Sequence, residues 1–179
     1  MSREHRMPLT QLLDLFDRLN DPGNKGKALE EFCVTFFSAI PGIQVATRNV
    51  LDNAHSQELD LVLDNVAPID GLDFLKDFIF VEAKNWKIPV GSAEVAWLDW
   101  KIRMSGSDTD GVLVATNGVT GRPEDKTSAW TILGMANMEG RRIFVITPEE
   151  MISCETVDDV HKLLKQKWRK LATGNAPIP

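Results

Sequence analysis

FIFVEAKNW, residues 78–86, is the stretch on which the fold turns. Phe78, Ile79, Phe80 and Val81 make an apolar run suited to a buried strand, and the run closes on Glu82, Ala83 and Lys84. Residues two apart in a strand share a face, so Glu82 and Lys84 stand side by side, with Phe78 and Phe80 packed beneath them. A carboxylate and an ammonium at the end of a core strand need a reason.

The segment before it supplies part of one. In SQELDLVLDN, residues 56–65, Leu59, Leu61 and Leu63 alternate with Asp60, Val62 and Asp64, which predicts a strand whose Asp60 faces away from the leucines. If this strand pairs antiparallel with 78–83 through the loop at 65–77, Asp60 and Glu82 come within reach of one ion. Further upstream, Leu29, Phe32, Cys33, Phe36 and Phe37 form one stripe of a helix over 27–39, in which Glu30 is the more inward of two adjacent acids. Spacing predicts another helix over 8–19 and a strand over 44–51. Downstream, helices are expected over 92–104, 127–138 and 157–171, and strands over 112–116 and 142–146. The order α, α, β, β, β, α, β, α, β, α implies one α/β domain with a mixed sheet and helices on both faces.

Composition narrows the class. The chain has 179 residues with 43% hydrophobic content, enough for one well-filled core. Cys33 and Cys154 are far apart, with no CxxC and no His at ligand spacing, which argues against zinc and against a disulfide scaffold. No signal-type apolar region and no membrane-length run is present, so a soluble, cytoplasmic protein is expected. The net charge is −6, yet it is unevenly spread. All 26 acidic and 15 of the 20 basic residues fall in 1–159; the remaining five, Lys162, Lys165, Lys167, Arg169 and Lys170, make the C-terminal segment basic. Such a segment is either a solvated helix face or a surface that contacts phosphates or a partner.

Two carboxylates on neighbouring strands suit a hard divalent cation, which takes oxygen ligands and retains waters. Asp60, Glu82 and the backbone carbonyl of Ala83 are the expected ligands, and Mg²⁺ the expected ion, with Mn²⁺ able to substitute. Lys84 would lie beside a metal-bound water, either helping to deprotonate it or stabilising charge on a phosphate. Taken alone, an E-x-K pair reads as an exposed ion pair worth about 0–1 kcal/mol.

GKALE at 26–30, ELD at 58–60 and VEAK at 81–84 together resemble the PD-(D/E)XK nuclease superfamily, and within it the Mrr-like restriction endonucleases. PVGSAEV at 89–95 and DGVLVATNGVTGRPEDKTSAW at 110–130 extend the resemblance over about residues 26–151. The chain departs from the motif in having Leu59 where Pro is usual, and from many Mrr-like members in having Glu rather than Gln at residue 82. The resemblance implies a restriction-endonuclease-like αβββαβ core, with 1–24 as an N-terminal helix and linker, 25–155 as the core, and 156–179 as a basic C-terminal helix and tail. It implies that Asp60, Glu82 and Lys84 form the catalytic triad and that Glu30 helps hold the metal or its water.

Polar residues near this constellation are weaker candidates. Asn85, Lys87, Thr116, Asn117 and Thr120 are placed for contacts to a nucleic-acid backbone, as are Lys165 and Arg169 on the last helix. Trp86 is read as either core or contact, Glu94 as a solvated helix residue or one pointing back at the metal, and His55 as a loop residue without a role. The expected function is a metal-dependent endonuclease hydrolysing phosphodiester bonds, DNA favoured, of restriction or defence type. The alternatives are a nuclease-like fold that binds nucleic acid or a partner protein without cleavage, and a nuclease acting on RNA. A homodimer, or a partner subunit supplying target recognition, fits a core without a DNA-reading module.

Overall fold

The computed structural model describes residues 4–21, 23, 25–51, 58–66, 72–122 and 127–173, with the side chains of Lys25, Val50, Leu51 and Glu58 apart. His55 lies outside the described residues. The elements are α1 (Leu9–Asp17), α2 (Lys25–Ser38), β1 (Ile43–Leu51), β2 (Glu58–Asn65), β3 (Phe78–Lys84), α3 (Ser92–Ser105), β4 (Thr109–Ala115), α4 (Ala129–Met138), β5 (Ile143–Ile146), α5 (Pro148–Ile152) and α6 (Val157–Thr173). One 3₁₀ turn, Arg18–Asn20, follows α1.

The five strands lie in the order β1-β2-β3-β4-β5. β1, β2 and β3 are antiparallel, whereas β3, β4 and β5 are parallel, so the sheet is mixed as expected. The break in direction follows the connections: no described helix lies between the first three strands, whereas α3 and α4 carry the chain back for the last two. β3 is the hinge of this arrangement, antiparallel to one neighbour and parallel to the other.

Two apolar clusters cover the two faces. On one, Leu12 and Leu15 of α1, Phe32 and Phe36 of α2, and Val160 and Leu164 of α6 pack with Leu61, Leu63, Ile79 and Val81 of the sheet. On the other, Val95, Leu98 and Ile102 of α3 and Leu133 and Ala136 of α4 pack with Leu113, Ile143 and Val145. Gly111 allows the second contact, because a side-chain carbon there would sit 2.5 Å from Ile102 Cδ1. Among the described residues no helix is long and apolar enough to cross a membrane.

The start of β3 differs from expectation. Phe78 is 46% exposed and Phe80 is only half-buried against the α3–α4 cluster, so the two do not form a packed pair beneath Lys84. Phe78 is the strand's first residue and lies at the sheet end, where its neighbours in register are Asp64 and Thr109. Ile79 and Val81, on the other face, are the ones fully buried.

That sheet end is tied by charge. Asp110, wholly buried, accepts hydrogen bonds from Arg142 Nε at 2.9 Å and Nη2 at 2.7 Å, and from the backbone N–H of Lys76 at 3.0 Å. Arg142 lies under the Trp168 ring of α6, which stacks on Phe74 in the β2–β3 connection. The opposite end of β3, seven residues and roughly 20 Å away, carries Glu82 and Lys84.

Candidate functional site

β2 and β3 pair in register from Asp64↔Phe78 to Leu61↔Val81. Past that point Asp60 replaces the backbone ladder: its Oδ2 accepts the Ala83 N–H at 2.7 Å. Asp60 is thereby fixed beside the E-A-K segment, with its carboxylate at the mouth where the two strands part.

Glu82 is buried, yet it carries two cationic partners. Lys84 Nζ donates to Oε1 at 2.6 Å, and Lys101 Nζ donates to Oε2 at 3.0 Å. Lys101 comes from α3 and is itself 3% exposed. Sequence reasoning passed over it. Its signal was present, since Lys101 lies within the apolar stripe Val95, Leu98 and Ile102, where a charged residue needs a buried partner.

The site's electrostatics follow from crowding. Burial, and then the Glu82 charge, push the Asp60 carboxyl up from an ordinary 3.8 to about 6, with Glu30 adding to the effect and the Ala83 N–H and Lys84 opposing it. Glu30, on α2, therefore acts within the same field, whereas neighbouring Glu31 turns to Arg18 at 3.9 Å. The Cys33 thiol, one turn on, is pushed up by burial first and then by Asp60 and Glu30. Burial works to lower the Lys84 pKa, but Glu82, Asp60 and Glu94 outweigh it, and the net shift is upward. Glu94, in the first turn of α3, thus acts on Lys84 by charge, and a side-chain carbon on Gly91 would come within 3.3 Å of its Oε2.

Around this centre the chain is closely tied. Asn85 Nδ2 donates to the Leu19 carbonyl at 2.8 Å, Thr116 Oγ1 donates to Asn85 Oδ1 at 3.0 Å, and Asn117 Nδ2 donates to the Trp86 carbonyl at 2.5 Å. Val90 bridges to Val119, and the Thr120 N–H reaches the Val90 carbonyl. The side chains of Asn85, Thr116 and Asn117 thus hold the rim loops in place. Lys87 beside them is exposed, and Trp86 is 39% exposed. Lys165 is elsewhere: its ammonium lies 4.0 Å from the Phe74 ring centroid, at the far end of β3. Arg169, one turn further along α6, is exposed.

The Glu82 carboxylate meets the ammoniums of Lys84 and Lys101 with Asp60 beside them, while Glu30 adds negative charge at Asp60 and Glu94 at Lys84. Such a surplus of negative charge, with the Asp60 carboxyl raised to about 6, suits a hard divalent ion that accepts one or two carboxylates and keeps its waters. Among the described residues no group of three or more His, Cys, Asp or Glu side chains is gathered to hold a metal, so this is not a closed cage. No protein-family model, curated protein or solved structure matches the chain.

Proposed function

We propose that the protein is a magnesium-dependent endonuclease that hydrolyses phosphodiester bonds, DNA being the favoured substrate, in a restriction or defence role. The observation that carries this reading is Asp60. Its carboxyl is anchored on the Ala83 N–H and raised by burial and then by Glu82, at the point where β2 and β3 part. A buried acid made costly by another acid suits a site completed by a cation.

Asp60 and Glu82 would hold the ion, with the Ala83 carbonyl as a third ligand and Glu30 beside them. Mg²⁺ bound there would polarise a phosphoryl oxygen and make a bound water more acidic. Mn²⁺ would serve in its place. Of the two roles open to Lys84, its 2.6 Å contact with Glu82 Oε1 supports charge stabilisation, because an ammonium donating to a carboxylate is held as a cation. Paired with Glu82, Lys84 is held rigid to meet negative charge as it develops on a phosphate. Lys87 and the Thr120 backbone line the rim along which a nucleic-acid strand would run.

One observation favours a second reading, binding without cleavage. Both Glu82 oxygens are already neutralised by lysines, as in a site that needs no ion. The test is purified protein with Mg²⁺ or Mn²⁺ on plasmid, linear duplex, single-stranded DNA and RNA, with and without EDTA, alongside Asp60→Asn. Cleavage of DNA that EDTA and Asp60→Asn both abolish is expected. Binding without cleavage would leave the second reading standing, and cleavage confined to RNA would change the substrate. A homodimer or partner subunit supplying target recognition remains part of the proposal.

A further inference from the structure

The two oxygens of Glu82 have different surroundings. Oε1 is held by Lys84, whose side chain is 22% exposed, and Oε2 by Lys101, whose side chain is 2% exposed. Oε1 therefore lies on the solvent side and Oε2 on the interior side, against α3. The carboxylate cannot rotate without breaking both contacts.

We propose that Lys101 is a positioning residue that sets ion choice by making Glu82 a one-oxygen ligand; this rests on the metal-dependent reading above. Oε1 keeps acceptor capacity beyond its bond to Lys84. Oε2 is engaged, because turning it to an ion would break the buried 3.0 Å contact with the Lys101 ammonium. Mg²⁺ and Mn²⁺ suit single carboxylate oxygens and retained waters. Ca²⁺ takes more oxygens, often both from one carboxylate. Lys101 thus disfavours Ca²⁺ by geometry.

The test is calorimetric titration of the full chain with Mn²⁺ and with Ca²⁺, in wild type, Lys101→Met and Lys101→Gln. Loss of a positive charge strengthens the attraction of both divalent ions, and looser packing weakens both, so the ratio of the two affinities reports ligand geometry. In Lys101→Met the preference for Mn²⁺ over Ca²⁺ should fall about tenfold, the scale on which partners of metal ligands act. In Lys101→Gln, whose amide N–H still reaches toward Oε2, it should fall less. An unchanged ratio in Lys101→Met overturns the inference and leaves the metal reading intact. Absence of any divalent binding by wild type removes both. Should Lys101→Met fail to fold, a wild-type crystal with Ca²⁺ decides: Glu82 on the ion through Oε1 alone is expected, and both oxygens on the ion overturns the proposal.

Discussion

Lys84 and Asp60 make separable predictions at the scale of single residues. Lys84→Ala removes a fixed positive charge and leaves Glu82 paired with Lys101, so little stability is at stake. Cleavage should fall by roughly 10²–10³, the scale for losing one donor to a developing oxyanion, with substrate affinity nearly kept. Parallel cleavage, binding and melting measurements check this, and a variant that cuts as well as wild type would remove Lys84 from the chemistry. Asp60 behaves differently, because its folded carboxyl binds a proton more tightly than an unfolded one. Between about pH 4 and pH 6 the folded state holds the extra proton, so metal-free stability falls as pH rises through that window and stays low above it. A shift from 3.8 to about 6 corresponds to a cost on the order of 3 kcal/mol at neutral pH. Asp60→Asn should therefore be more stable than wild type at pH 7 in EDTA and no more stable near pH 4, while losing activity. Urea denaturation across that range checks it; equal stability at pH 7 would mean the carboxyl is not strained.

Elements were legible where periodicity is strong and obscure where it is short. The alternation in 59–63 and the stripe in 29–37 marked β2 and α2 because one face of each is buried. α5 escaped notice because five residues carry no period. Its signature was Thr147-Pro148-Glu149-Glu150, a capping box in which the Glu150 N–H donates to Thr147 Oγ1 and Glu150 Oε2 accepts the Thr147 N–H. Thr147→Ala should cost about 1 kcal/mol in chemical denaturation without changing metal binding. The basic character of α6 was evident, but its internal use was not. Lys162 pairs with Asp158, Lys167 with Glu150, and Lys165 and Lys170 lie over aromatic rings. Lys165→Ala should lower stability by about 0.5–1 kcal/mol through loss of its contacts with Phe74 and Trp168, with the salt dependence of DNA binding unchanged. A salt slope shallower by about 1 would instead place Lys165 on a phosphate.

For the whole molecule, the mixed α/β architecture followed from element order, because strand pairs joined by loops and by helices have few topologies open to them. The site was half legible. Asp60, Glu82 and Lys84 stood out as charges in apolar strands. Lys101 meets Glu82 only across the fold, and Phe78 looked buried because an apolar run does not reveal where its sheet ends. If Asp60 and Glu82 share an ion, Mg²⁺ or Mn²⁺ should raise the melting temperature of wild type in a concentration-dependent way. The double variant Asp60→Asn, Glu82→Gln should show no such rise in calorimetry, and an equal rise would place the ion elsewhere.

The position of β3 between the two halves of the sheet also bears on how the candidate site assembles. Asp60 arrives with the antiparallel meander, whose contacts are close in sequence, and Lys101 arrives with the crossover helix that precedes β4. Pairing across a crossover forms more slowly than pairing across a loop. During refolding the meander should gain hydrogen-exchange protection first, and the preference for Mn²⁺ over Ca²⁺ should return only with protection of β4. The site is complete only once the parallel half of the sheet has docked.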